Sequence, residues 1–574
     1  MNPSRREVLY GGFAAAAWGL GFRTSFPASF LRPCGPSGGL ALDQSAPVAD
    51  LPDAPTSVLI DGLPFGDWFT GDAFRAPGDY PFHNAPPCCA FSDPPAPTDE
   101  IDVAVIGGGL SGLACGYLLR HRGPVVFELQ SRFGGNARGE RWRGTSYPIG
   151  SAYVITPDRG TFLWRLYHEL GLHHVRREAL PPDPVEIGGV VRDDFWSGAG
   201  RPPAEQAAFQ RYAEVVRYMA NERYPDIPLP AGDEAQWIID LDRKTFRQDI
   251  EERMGVPMPP LLAAAVQAYC YSSFGVGFDE ISAAAGWNFL AAEEFGRWVF
   301  PGGNAYIVQA LWERVGRLER AVRPECRPYH LRAQCSVVDV RMRGANRVQV
   351  TYVDASGGLR SLTARYAIIA CPKHVARHIL HGIEQLDERK LLAMGQTFTR
   401  PYVVANVLLN APIQRDFYDM FLVGDESFPM TEPAVAANSR PTDLLRGDYA
   451  ERGAQSRGVL SLFWPLPFGT ARFTLIRDGS WTDYAERLAP RVRQALDLLN
   501  VPTSAVRQVR MTRWGHALPF APPGLMAQGF YDELRRPLGD RIYFVNQDNW
   551  LLPAVENSLL DAESVCDTIR TRLP

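Results

Sequence analysis

Residues Ile101 to Arg138 read IDVAVIGGGLSGLACGYLLRHRGPVVFELQSRFGGNAR, and the rest of the chain is arranged around them. The run Val103–Ile106 is apolar, largely β-branched and followed at once by glycines, which suits a strand buried on both faces. Gly107, Gly109 and Gly112 then stand in the spacing G-x-G-x-x-G. Gly107 allows a tight turn out of the strand, Gly109 has no Cβ to hold a pyrophosphate away from the backbone, and Gly112 lets the next helix lie close to the sheet. That helix is predicted from Ser111 to about His121. Its first N–H groups and the positive end of its dipole face the phosphates, so Leu110 and Ser111 join the glycines as candidate contacts. A second strand, Val125–Phe127, ends at Glu128 and Leu129, about 20 residues past the first glycine, where a carboxylate can accept both hydroxyls of an adenosine ribose. A glycine triplet alone fits an ordinary strand-to-helix turn equally well; strand, helix and acid together specify a dinucleotide site.

The residues after Glu128 narrow the cofactor. Gly134-Gly135-Asn136-Ala137-Arg138 resembles the second glycine motif of the flavin-containing amine oxidase superfamily, which also holds polyamine oxidases, spermidine dehydrogenases, phytoene desaturases and protoporphyrinogen oxidases. The resemblance implies FAD bound through both motifs. Many members carry arginine directly after the paired glycines; here Asn136 stands there and the arginine comes at Arg138. Further along, Tyr147 to Tyr153 resembles the segment that passes the flavin ring, which makes Gly150 and Ser151 candidates. Phe300-Pro301-Gly302-Gly303 resembles the return into the flavin domain, and Val337 is implied as a backbone contact to adenine. The strand Arg541–Val545 is followed by Asn546-Gln547 where relatives carry Gly-Asp or Gly-Glu. The helix beginning near Val555 is implied to stabilise negative charge at the flavin C2 carbonyl.

The implied fold class is α/β: a Rossmann-like FAD-binding domain of the glutathione reductase type, interleaved with an α+β substrate domain. Residues 101–150, 300–375 and 506–574 are assigned to the first, and 151–299 and 376–505 to the second. A length of 574 residues exceeds one compact core, in keeping with two domains. Helices are read at 204–220 and 261–271, strands at Val403–Leu409 and Gly458–Trp464, and an aperiodic loop at 425–455. A net charge of −5 argues against a nucleic-acid partner, which needs a basic surface. The nine cysteines form no CxxC pair and no His/Cys cluster of metal-ligand spacing, so neither a metal nor a disulfide framework is expected.

The N-terminus carries its own signal. Ser4-Arg5-Arg6-Glu7-Val8-Leu9, with no charge from Val8 to Phe22, resembles a twin-arginine export signal, assigned to residues 1–30. It implies the twin-arginine export machinery as a partner and a periplasmic or otherwise exported location, with retention as a membrane anchor the alternative. Residues 31–100 hold 13 prolines, enough for an extended segment, yet Phe65, Trp68, Phe69, Phe74, Tyr80 and Phe82 predict that its second half packs on the flavin domain.

Three side chains are candidates for the chemistry. Trp514-Gly515-His516 precedes the last strand where relatives place cavity residues, and His516 is able to accept a substrate proton. Trp550 stands where amine oxidases carry aromatic cage members, whose faces suit an amine. Lys373 is the nearest match to the family's lysine at flavin N5. No cysteine lies in the C-terminal flavin loop, so the FAD is expected to be non-covalent. The resulting reading is an exported FAD-dependent oxidoreductase that takes a primary or secondary amine, polyamines included, to an imine by hydride transfer to flavin N5. Oxygen or a periplasmic or membrane carrier is the acceptor. A desaturase or porphyrinogen-oxidase-like enzyme on an apolar substrate, and a flavin-binding protein without turnover, are the alternatives.

Overall fold

The computed structural model describes residues 42–73, 94–230, 232–322, 329–452 and 456–573. The twin-arginine-like segment and the aromatics Phe74, Tyr80 and Phe82 lie outside them.

The opening strand forms over Glu100–Ile106 and is buried along almost its whole length, as its unbroken apolar run requires. It sits centrally in a seven-stranded sheet, parallel to Val125–Phe127 on one side and to Leu359–Ile369 on the other. The Leu359–Ile369 strand changes partners along its length. Its first half pairs antiparallel with Arg347–Val353, while Ala367–Ile369 pairs parallel with Ile542–Phe544. Three segments far apart in sequence are thereby joined in one sheet. Helices Leu110–Leu118, Ala305–Val322 and Val555–Arg572 pack together on one face, in a core built of Val103, Val105, Leu113, Leu311, Leu559 and Ile569 among others.

A ten-stranded sheet forms the second layer. Its centre is Thr399–Leu409, antiparallel to Gly458–Pro465 on one side and to Val506–Pro519 on the other. The domain boundaries differ here from those the sequence implies: it assigns Val506–Pro519 to the flavin segments, whereas these 14 residues run through the middle of the substrate-side sheet. The stretch 425–455, expected as an aperiodic loop, contains a helix at Glu432–Asn438 and a strand at Asp443–Arg446. That strand is short and pairs on both sides with other strands, so neither length nor alternation marked it. Helices Pro203–Asn221 and Pro260–Phe274 cover this region, each opening with proline in its first turn, where the missing N–H is not needed.

The proline-rich extension is more than a surface strap on one domain. Val48–Leu51 runs parallel to Gly139–Trp142 beside the second glycine motif. Val58–Ile60 and Leu63–Phe65 form a hairpin at the edge of the ten-stranded sheet, and Thr70–Gly71 adds to Val506–Pro519. Gly71 adopts φ +76°, and a Cβ there would lie 2.5 Å from the Arg513 carbonyl oxygen. Only glycine allows the extension to come this close to the central strand.

Candidate active site

A cavity of about 1110 Å³ runs from the glycine turn of the seven-stranded sheet to the face of the ten-stranded sheet. Its first end is made by Gly107, Gly109, Leu110 and Ser111, with Gly134 and Gly135 opposite. Gly109 forms an isolated bridge with Gly134, and the Gly134 N–H donates to the Gly108 carbonyl at 2.8 Å, so the two glycine motifs are laced edge to edge. A Cβ on Gly107 would lie 2.8 Å from the Ala370 carbonyl, and one on Gly112 would overlap the Gly107 carbonyl oxygen. At Gly109, by contrast, the nearest atom to such a Cβ is 3.7 Å away. The protein itself leaves that space open. The helix Leu110–Leu118 starts at Gly109 without a side-chain cap, and so does Val555–Arg572 at Ala554. Two helix N-termini thus bring unsatisfied N–H groups to one cavity, an arrangement suited to anionic groups.

Glu128 and Leu129 line the same end. The Glu128 carboxylate accepts from the Gly108 N–H at 2.9 Å and the Gln130 N–H at 2.7 Å, which fixes its orientation. Burial raises its pKa above the usual carboxylate range, and those same N–H groups oppose the shift. Val337 lines the cavity beside it. Gly150 lies so close to the Asn136 carbonyl that a Cβ would overlap the oxygen, and the Ser151 N–H donates to that oxygen at 3.0 Å. Asn557, near the start of the terminal helix, is buried with its amide nitrogen unpaired and lines the cavity. The open space at Gly109, the two uncapped helix ends and this orphaned donor all fit the FAD that the motifs imply. Bound there, it would supply the two-electron acceptor.

The residues that depart from the usual motifs act through the protein. Asn136 and Gln547 both line the cavity, and both donate their amide N–H to the Ala517 carbonyl, at 3.3 and 3.0 Å. Two loops of the site are thereby tied to the ten-stranded sheet by neutral groups. Arg138, a candidate cofactor contact from the second glycine motif, does not line the cavity. Its Nη2 donates to the Gly71 carbonyl at 2.9 Å, its Nε donates to Gly135, and its guanidinium stacks 4.9 Å from the Trp514 ring. Its reach is spent on holding the N-terminal extension.

Two of the three chemical candidates are also placed elsewhere. Trp550 is 1% exposed and absent from the cavity wall. Its ring packs on Tyr531 and under Arg535, and its indole N–H donates to Asp561 at 2.9 Å. It is a core residue. Lys373 is fully buried, donating to Asn546 Oδ1 at 2.9 Å and Asn549 Oδ1 at 2.5 Å. Burial lowers its pKa to about 8. Because Asn546 lines the cavity and Lys373 does not, the lysine braces the loop after the last strand. His516 does line the cavity.

The far end is dominated by groups that sequence reading missed. Ten carboxylates line the cavity as a whole, against three guanidinium groups and no lysine. The core of this acidic set surrounds Arg297, whose guanidinium lies 2.6 Å from Asp183, 3.4 Å from Glu293 and 3.9 Å from Asp419. Tyr153 donates to Glu293 at 2.8 Å. Asp443, on the strand that was read as loop, accepts from Ser272 at 2.8 Å and is pushed up to about 7 by burial. Asp419 is pushed up as well, by burial first and then by Asp443. These acids come from four separate segments, so no spacing announced them. His374 directly follows Lys373 and stacks on His516, with ring centroids 3.6 Å apart.

A sequence family described as flavin containing amine oxidoreductase matches residues 110–555 of this chain. The chain belongs to that family. This flavin amine oxidoreductase is 21% identical over 525 residues to oxidoreductase PigB of Serratia sp. (strain ATCC 39006), covering 83% of the chain and 76% of the relative. A flavin-containing amine oxidase of Oncorhynchus mykiss is 30% identical over 165 residues, 26% of this chain and 28% of that one. Cyclohexylamine oxidase from Brevibacterium oxydans IH-35A shares the fold with a TM-score of 0.59 at 17% identity, covering 82% of this chain and 99% of that one. Putrescine oxidase bound to putrescine does so with a TM-score of 0.58, also at 17% identity, over 82% and 99%. The protein is therefore an FAD-dependent oxidoreductase with the expected α/β class.

The glycines predict two different failures. Gly109→Val should yield folded protein with at least a ~10-fold lower flavin content, because the added side chain meets little protein but fills the phosphate space. Gly112→Val should lose soluble protein, because its side chain meets the Gly107 carbonyl. Absorbance and circular dichroism of the purified variants check both; full flavin occupancy in Gly109→Val contradicts the assignment.

Proposed function

We propose that the enzyme oxidises a primary or secondary amine to the imine, with FAD held non-covalently. The observation that carries this reading is the charge of the cavity. An excess of carboxylates in a partly desolvated space attracts an ammonium ion over distances of several ångströms, at about 4 kcal/mol per close pair for an effective dielectric near 20. The aromatic walls, Tyr153, Tyr402 and Trp514 among them, add faces on which an amine can rest.

Hydride loss requires the amine in its neutral form, so the site must also take up a proton. Asp443, whose pKa burial raises to about 7, is suited to exchange a proton with an ammonium ion. Arg297 lies between Asp183 and Glu293 and offsets their mutual repulsion. An apolar desaturase substrate would gain nothing from these buried charges and would pay for their desolvation. Non-covalent binding is supported by the state of Cys371, a thiol beside the glycine turn: burial pushes it up to about 12, which keeps it protonated and a poor nucleophile.

For location, the proposal is export through the twin-arginine route, supported by Arg5-Arg6 and the uncharged stretch after them. That route carries folded proteins and so suits an enzyme that acquires its flavin before export. The acceptor for the electrons is oxygen or a periplasmic or membrane carrier. Among the described residues no helix is long and apolar enough to cross a membrane.

Anaerobic mixing with a panel of mono- and diamines should bleach the oxidised flavin band, and acid precipitation should release the flavin into the supernatant. Bleaching by an apolar polyene or a porphyrinogen, and by no amine, contradicts the reading. Replacing Arg5 and Arg6 by lysine should leave the enzyme in the cytoplasm; an unchanged exported yield contradicts the export proposal.

A further inference from the structure

Two hydroxyl groups on the cavity wall stand in a row that ends on a carboxylate. Ser272 lies in the last turn of the helix Pro260–Phe274, where a serine ordinarily returns its proton to a carbonyl of its own helix. Here the Ser272 hydroxyl donates instead to Asp443 Oδ2 at 2.8 Å, while the Thr442 hydroxyl donates to Oδ1 at 2.7 Å. A hydroxyl has one proton, so toward Tyr402, whose oxygen lies 3.4 Å from Ser272 Oγ, Ser272 is the acceptor and Tyr402 the donor. That separation is long for an O–H···O bond, and contacts of this kind tighten when substrate enters. Tyr402, Ser272 and Asp443 all line the cavity.

Strand register shows the gap that this row spans. Tyr402 pairs with Trp514, whose indole N–H donates to the Ile149 carbonyl beside Gly150 and Ser151 at 2.8 Å. Asp443 pairs with Phe463 and Phe463 with Val404, which sets Asp443 two strands from the Tyr402 strand, about 9–10 Å to the side. Ser272, on the helix that covers the sheet, bridges the two. Asp443 sits among Asp419, Asp183, Glu293 and the Arg297 guanidinium, with Tyr153, Tyr269 and Tyr418 beside them. Two other cavity carboxylates can compete for a proton. Asp419 accepts from the Met420 N–H at 2.8 Å and faces Arg297, and Asp72, delivered by the N-terminal extension, accepts from the Gly515 N–H at 2.7 Å. Among the described residues no row of hydroxyls leads to either.

We propose that Tyr402, Ser272 and Asp443 form a proton relay that takes the ammonium proton from the substrate. The substrate N–H bond breaks as the Tyr402 oxygen gains that proton; the Tyr402 proton passes to Ser272 Oγ, and the Ser272 proton passes to Asp443 Oδ2. An ammonium ion and a carboxylate become a neutral amine and a carboxylic acid, with no change in total charge. Tyr402 meets the substrate, and Ser272 acts through Tyr402 and Asp443. The relay deepens the amine reading of this cavity and rests on it.

tert-Butylamine has no α C–H bond and cannot be oxidised, so its binding to the holoenzyme reads the transfer without turnover. At a pH above the value of about 7 to which burial raises Asp443, it should bring a carboxylic acid C=O band into the infrared difference spectrum. Asp443→Asn, Ser272→Ala and Tyr402→Phe should each lose that band. No band in the wild type, or a band that survives in Ser272→Ala, overturns the relay. In the kinetic arm, Ser272→Ala should slow flavin reduction by an amine substrate ~10²-fold near pH 7, the size of a lost proton transfer. Ser272→Thr, which keeps the hydroxyl, should recover most of that loss. The Ser272→Ala deficit should also shrink as the pH approaches the free amine's own pKa, because the amine then arrives neutral and needs no relay. A deficit that pH does not change, or equal losses in the two variants, marks a packing role and overturns the proposal. Bleaching by no amine, with the infrared band present, would sink the oxidation reading while the relay stands.

Discussion

A helix can begin against the strand Glu100–Ile106 as closely as it does because residue 112 has no side chain: a Cβ there would occupy the Gly107 carbonyl oxygen. That approach aims the first N–H groups of Leu110–Leu118 into the cavity, and the lacing of Gly109 to Gly134 brings the second motif to the same place. Everything downstream depends on it. The Leu359–Ile369 strand lies in register beside the first strand, Ile542–Phe544 lies beside that, and the terminal helix begins where the last strand delivers it. A second uncapped N-terminus therefore reaches the cavity from the other end of the chain.

The two ends of the cavity are electrostatically opposite. Helix termini contribute about 0.3–1 kcal/mol each to a nearby anion, and up to ~2 when partly buried, so two of them together with backbone donors suit an anionic cofactor. Glu128 does not spoil this, because two backbone N–H groups absorb its charge. At the far end carboxyl groups outnumber guanidinium groups. Under the proposed function the same cavity takes an anionic cofactor at one end and an amine at the other.

The parts legible in the sequence are those fixed by local chemistry. The strand at 100–106, the glycine spacing, Glu128 and the strand at Val125–Phe127 lie within 40 residues, where periodicity and backbone sterics leave few choices. His516 was found because it borders a recognisable Trp-Gly pair. Lys373 and Trp550 were misread for one common reason: each stands at the right distance along the chain from the flavin segments, but the loop after the last strand turns both inward, onto Asn546, Asn549 and Asp561. The acidic set was invisible because Asp183, Glu293, Asp419 and Asp443 come from segments more than 20 residues apart, and Asp72 because a proline-rich extension carries no pattern that places it in a sheet. Arg138 shows the same effect in reverse. Its motif was recognised, yet the extension captured it.

The central claim is that a single cavity, bounded by two uncapped helix ends and an open glycine, binds one FAD. Titration of flavin-stripped protein with FAD, followed by calorimetry and by recovery of the flavin absorbance, tests it most directly. The account predicts saturation at one FAD per chain, with FMN binding far more weakly because it lacks the adenosine that Glu128 and Val337 are proposed to hold. Equal affinity for FMN, or no uptake of FAD by folded protein, would contradict it.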